Sequence, residues 1–172
     1  MALPDFPPLP DFPPLQTMPP PADMVAAILV EAGAVLFLRR SGHRGTYLVL
    51  PGGFAGDHEA LEIACLRCAT KEILEAAREW ARQLRIDLHE DKILLSVGAE
   101  VHKAAWERRT IHYFMASSNR TSILGGPAVQ PGIAPGAMVW PTFEWVPFAD
   151  LKAKNVAPLD IMACEHIRSL GS

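Results

Sequence analysis

The sequence predicts an α/β fold: a mixed sheet with flanking helices, arranged as an α/β/α sandwich. Three observations lead there. Short apolar runs with strand character lie on either side of one long amphipathic helical stretch. A strand, a glycine pair, an acid and that helix follow one another directly between Tyr47 and Leu84. The chain has 172 residues, 49% of them hydrophobic, which is enough for one domain with a sizeable core.

Residues 1–23 read as a separate proline-rich arm, and residues 24–172 as the domain. The arm repeats Leu-Pro-Asp-Phe-Pro-Pro without change at 3–8 and 9–14, and Pro19, Pro20 and Pro21 follow. Proline fixes φ and has no N–H, so this segment favours extended polyproline II. Either it is a loose tail, or it lays Phe6 and Phe12 into apolar grooves of its own domain or of a second subunit in a homodimer.

Strands are expected over 25–30 and 34–39, with Glu31, Ala32 and Gly33 as a hairpin turn. The next is expected over 46–50. Pro51 ends it, having no N–H for a ladder. Gly52 and Gly53 allow a tight turn and let bare backbone approach a ligand. Glu59 is expected to open a helix that runs to Leu84. Ile73, Ala77, Trp80 and Leu84 share the face that should pack on the sheet. Strands over 92–102 and 109–117 follow, joined by 103–108. Residues 119–141 are a long Gly/Pro-rich connection, either a binding loop or a plain insertion. A strand over 142–146 and short helices near 148–153 and 159–170 end the chain.

Charge and cysteine content narrow the function classes. The net charge is -3 and the pI about 6.1, so no basic field favours generic nucleic-acid binding. The longest early apolar stretch, 24–30, is too short to span a bilayer. No basic region with an apolar run opens the chain, so no membrane partner is expected and cytoplasmic residence follows by default. Cys65, Cys68 and Cys164 form an odd, sparse set that fits a reducing compartment. With His166 they have no zinc-module spacing, and buried thiols are the simpler reading.

The stretch from Gly52 through Glu59 resembles the front half of the Nudix box, G-x5-E-x7-R-E-U-x-E-E-x-G-U, where U is aliphatic. Gly53 and Glu59 fit its first glycine and glutamate at the correct spacing. Residues 34–40 before the box and 143–151 after it are also similar to the family, so the resemblance spans roughly 24–170. The back half departs from the pattern. In strict register the arginine is Arg67, but Cys68 and Lys71 replace two of the three following glutamates and only Glu72 remains. A shift of four residues begins at Lys71 and reads through Glu72 and Glu75; a shift of eleven begins at Arg78 and keeps Glu79. No register gives the full acid set.

The resemblance implies metal-dependent hydrolysis of a diphosphate linkage, in a nucleoside diphosphate derivative or a related small molecule, with Mg²⁺ or Mn²⁺ as cofactor. Glu72, Glu75 and Glu79 fall within a sector of about 60° on the helix, so this stripe is the expected metal-holding set, with the Gly52 carbonyl as a further oxygen ligand. The ordinary reading of the same stripe is a solvated face paired with Lys71, Arg78 and Arg82. Glu72 and Glu59 are the candidate catalytic residues, Glu59 as a brace for the loop. Arg39, Arg40, Gly53, Trp106 and Arg109 are the candidate substrate contacts. Glu100 or Glu144 would supply the acid that such enzymes take from outside the box. The alternative is a degenerate Nudix-fold protein that binds a ligand or a protein partner without hydrolysis.

Overall fold

The computed structural model describes residues 22–43, 45–85, 95–118 and 143–170. The expectations for the arm at 1–21 and for the connection at 119–141 lie outside the described residues.

Strand β1 (Met24–Glu31) is almost wholly apolar and sits at the centre of the sheet. Its side chains alternate between two cores, as a period of two requires. Val25, Ala27 and Leu29 face one side, Ala26 and Ile28 the other. Ala32 and Gly33 both take positive φ, 50° and 75°, the combination that a two-residue hairpin turn needs. The chain returns as β2 (Ala34–Gly42), then β3 (Gly45–Val49) and a short β4 (Gly52–Phe54). Helix α1 (Leu61–Leu84) follows, then β5 (Leu95–Trp106), β6 (Arg109–Ser118) and β7 (Phe143–Pro147). A 3-10 helix (Phe148–Ala153) and helix α2 (Pro158–Leu170) close the chain.

The strand order is β3-β2-β1-β6-β5, with β4 paired to β1 and β7 paired to β2. Strands β1 and β6 run parallel and the other pairs antiparallel, so the sheet is mixed. Helix α1 covers one face through Ala64, Cys65, Cys68, Ala69, Ile73 and Ala77, against Leu36, Leu38, Phe114 and Phe143. Helix α2 covers the other through Ala163, Cys164 and Ile167, with Phe37, Tyr113, Val146 and Leu151 in the same core. Burial on both faces explains why β1 and β2 read as continuous hydrophobic runs. The expected α/β/α sandwich is thus the observed one. The side chains of Trp80 and Leu84 lie outside the described residues.

Three local expectations change. Gly52 and Gly53 do not make a turn; they begin β4, in register with Ala26 and Val25. A Cβ on Gly52 would stand 2.1 Å from the Val25 carbonyl oxygen, and one on Gly53 would stand 3.0 Å from Cys68 Sγ. Close packing, not a turn, requires these glycines. Helix α1 begins at Leu61, two residues after Glu59, because the Glu59 side chain folds back onto the loop instead of continuing the helix. Strand β5 runs on to Trp106, and only Glu107 and Arg108 turn the chain, with Glu107 at φ 56°.

Candidate ligand-binding site

Glu59 and Arg67 staple the loop to the helix. Arg67 Nε and Nη2 donate to the two carboxylate oxygens of Glu59, each at 2.9 Å. The Gly56 N–H donates to Glu59 Oε1 at 2.8 Å, and Arg67 Nη2 also donates to the Phe54 carbonyl at 3.0 Å. The Arg67 hydrogen bonds, then that of the Gly56 amide, hold the Glu59 carboxyl down to about 2. Glu59 thus connects the end of β4 to the second turn of α1.

Arg67, which Glu59 holds, is the arginine of the pattern in the strict register. The three glutamate positions of that register then hold Cys68, Lys71 and Glu72. Cys68 is buried, its thiol 3.6 Å from the Phe54 carbonyl oxygen. Burial pushes that thiol up, with the Arg67 charge pulling the other way, so it stays protonated at neutral pH. Lys71 carries a positive charge and lines a separate groove along α1 with Ile63, Leu66 and Leu74. Glu72 abuts the guanidinium of Arg40 in an ion pair. Its Oε2 is buried and accepts no well-directed hydrogen bond.

A hard divalent cation takes several oxygen ligands. The donor set here is one carboxylate facing an arginine, one protonated thiol and one ammonium, which does not fit such an ion. Among the described residues, no group of three or more His, Cys, Asp or Glu side chains is placed to hold a metal. Glu75 is exposed on α1, and Glu79 pairs with Arg82 one turn along the helix. Neither joins Glu72 in lining the cavity described next.

That cavity, of about 670 Å³, opens where the ends of β1, β3 and β4 meet the start of α2. Gly52, Gly53, Glu72 and Arg40 line one part of it. Leu48, Leu50, Ile111 and Val156 supply apolar wall, and Tyr47 and Trp106 contribute rings that are 39% and 43% exposed. Asp160, in the first turn of α2, also lines it. Its carboxylate accepts from the Tyr113 hydroxyl at 2.8 Å and from the Leu50 backbone N–H. Burial pushes the Asp160 carboxyl up, against the pull of those two hydrogen bonds. Among the described residues the cavity therefore combines apolar wall, two aromatic rings, two carboxylates and one cation.

Of the expected substrate contacts, Arg40, Gly53 and Trp106 line this cavity. Arg39 points elsewhere and pairs with Glu144 at 2.5 Å, with Lys154 on the second Glu144 oxygen at 3.2 Å. Arg109 sits 4.9 Å from the centre of the Phe54 ring, a cation–π contact beside the cavity. Glu100 is taken up by His112 Nδ1 at 2.5 Å. Tyr47 and Asp160 escaped the sequence reading. An acid two residues after Pro158, at the start of a helix, is the one signal that marks Asp160.

The backbone is similar to that of several solved proteins. One is the solution structure of the E. coli ORF135 protein, at 19% identity over 88% of this chain and 91% of that one, with a TM-score of 0.50. A second is a NUDIX hydrolase from Nitrosomonas europaea, at 16% identity over 87% and 89%, with a TM-score of 0.52. A third is a UDP-X diphosphatase, at 13% identity over 90% of this chain and 64% of that one, with a TM-score of 0.51. No protein-family model matches the sequence, and no curated protein matches it. These likenesses define the class by fold: the chain has the Nudix fold. No helix of the described residues is long and apolar enough to cross a membrane.

Proposed function

We propose that this chain is a Nudix-fold binding protein for a small ligand of the nucleotide class, a planar heterocycle carrying phosphate, and that it does not use the metal centre of the Nudix box. The donor set carries this reading. Cys68 and Lys71 stand where the pattern has glutamates, and the remaining Glu72 faces Arg40. Of the two carboxylates that line the cavity, Glu72 faces Arg40 and Asp160 accepts from the Tyr113 hydroxyl and the Leu50 N–H, so both already have partners, which works against gathering the charge that metal-assisted hydrolysis requires. The rest of the cavity is suited to binding. Tyr47 and Trp106 offer ring faces, and Asp160 offers an acceptor to a heterocycle N–H. No generic nucleic-acid partner is part of this reading.

A second reading, a divergent hydrolase using Mg²⁺ or Mn²⁺, has one specific observation in its favour. Glu72 stands at a glutamate position of the box and shares the cavity with Gly52. Calorimetric titration of Mg²⁺ and Mn²⁺, with and without ADP-ribose, separates the two. The binding reading expects no saturable metal uptake and no turnover. Saturable Mn²⁺ binding, together with ADP-ribose turnover that Glu72→Gln removes, would overturn it in favour of the hydrolase.

A further inference from the structure

The geometry points to Arg40 as a built-in replacement for the divalent cation: its guanidinium holds the ligand's phosphate oxygens directly, so that phosphate recognition here needs no metal. This rests on the binding reading above and names the group that would confer its phosphate specificity.

Position is the first argument. Among the described residues, Arg40 is the cation that lines the cavity, and it shares the wall with Gly52, Gly53 and Glu72. In a metal-dependent site the ion would sit between such a carboxylate and the phosphate. Here the guanidinium already lies against Glu72, and 41% of its side-chain surface remains exposed. A guanidinium has five N–H donors in a rigid planar fork. One edge against Glu72 leaves donors for an oxyanion, and charge-assisted bonds of this kind are the strong ones.

The neighbours supply the second argument. Arg40 is in register with Tyr47 across β2 and β3, and both line the cavity. A cation and a ring side by side on one wall match a ligand that carries an anion and an aromatic ring. Among the described residues, Arg39 is engaged with Glu144, Arg67 with Glu59, and Arg109 lies over Phe54. Glu72 then has a defined role as the counter-ion that holds Arg40 in place.

The two roles for Glu72 predict opposite signs. If Glu72 ligates a metal, Glu72→Gln removes diphosphate binding. If Glu72 is the counter-ion of Arg40, Glu72→Gln releases the guanidinium, and diphosphate binding is kept or strengthened. The experiment is calorimetry of the full chain with ADP, GDP and UDP and with their nucleosides, first in EDTA and then in Mg²⁺. At least one diphosphate should bind about tenfold or more tighter than its nucleoside in EDTA, with no gain from Mg²⁺. Arg40→Gln should bring that diphosphate down to the level of its nucleoside measured on the same variant, and Arg40→Lys should retain part of the difference. Melting curves of the variants check that the fold is intact. A diphosphate that binds only with Mg²⁺, or loss of binding in Glu72→Gln, would overturn the role of Arg40 while leaving a binding cavity. Equal affinity for nucleoside and diphosphate would do the same. Failure of every nucleoside and diphosphate to bind would remove the binding reading itself, and the Arg40 role with it.

Discussion

Glu59 works on the backbone and not on the cavity. Its two oxygens are committed to Arg67 and to the Gly56 amide, so it fixes where the loop ends and α1 begins. The carboxyl is held down to about 2, against an ordinary value of 4.5. A depressed carboxyl stabilises the fold fully above its unfolded value, and the contribution disappears as pH falls through the folded value. The stability difference between wild type and Glu59→Gln should therefore be constant from neutral pH down to about 4.5 and shrink between there and about 2. Urea unfolding at stepped pH measures it. A difference that vanishes near pH 5 would mean that the pairing does not hold in solution. Gly53 and Glu59 were legible in the sequence because their spacing is fixed by a pattern. Arg67 was named as the arginine of the strict register but not as the partner of Glu59, because acids and bases recur every three or four residues along α1 and several registers look alike on paper.

At the scale of elements, the sheet is joined at its end by a buried histidine. His112 on β6 is 6% exposed. Its Nδ1 lies 2.5 Å from Glu100 Oε1 on β5, and its Nε2 lies 3.0 Å from Asp23 Oδ2, just ahead of β1. Glu100 sits at the irregularity of β5, where the register with β6 shifts on both sides of it. Asp23 also accepts, through its carbonyl, the N–H of Ala55 just past β4. One ring thus joins β5, β6 and the segment entering β1. His112→Leu would leave two carboxylates without their ring partner and should destabilise the fold by about 1–3 kcal/mol. Chemical denaturation at neutral pH reads this out, and a loss below about 0.5 kcal/mol would show that the strap carries little. Strands β1, β2, β3 and β6 were legible from hydrophobic runs and alternation. Strand β4 was not, because Gly-Gly-Phe has no side-chain pattern to betray a strand, and its pairing with β1 follows from backbone approach alone.

For the whole molecule, the layered fold was readable and the cavity was not. The fold follows from apolar periodicity, which is local in sequence. The cavity is assembled from Arg40, Tyr47, Glu72, Trp106 and Asp160, carried on β2, β3, α1, β5 and α2. No spacing rule links residues so far apart. The chemistry expected of the acid stripe also depended on tertiary placement: Glu72 reaches the cavity, while Glu75 and Glu79 do not line it. The arm at 1–23 remains a proposal of its own, as a segment distinct from the domain at 24–172.

The position of β1 has a consequence for how the chain is made. This strand has β6 on one side over Met24 to Leu29, and β4 and then β2 on the other. Its parallel partner begins at Arg109, so during synthesis the first strand made waits for one made much later. Until the ribosome has released residues up to Ser118, the central ladder has an open flank, and such exposed strand edges are where nascent chains associate wrongly. The amides that point toward β6 should be among the last to exchange in the finished protein and the last to gain protection on stalled nascent chains. Deuterium uptake on chains arrested before and after residue 118 follows this directly. Protection of Val25 to Leu29 before β6 has emerged would show that the N-terminal half closes on its own.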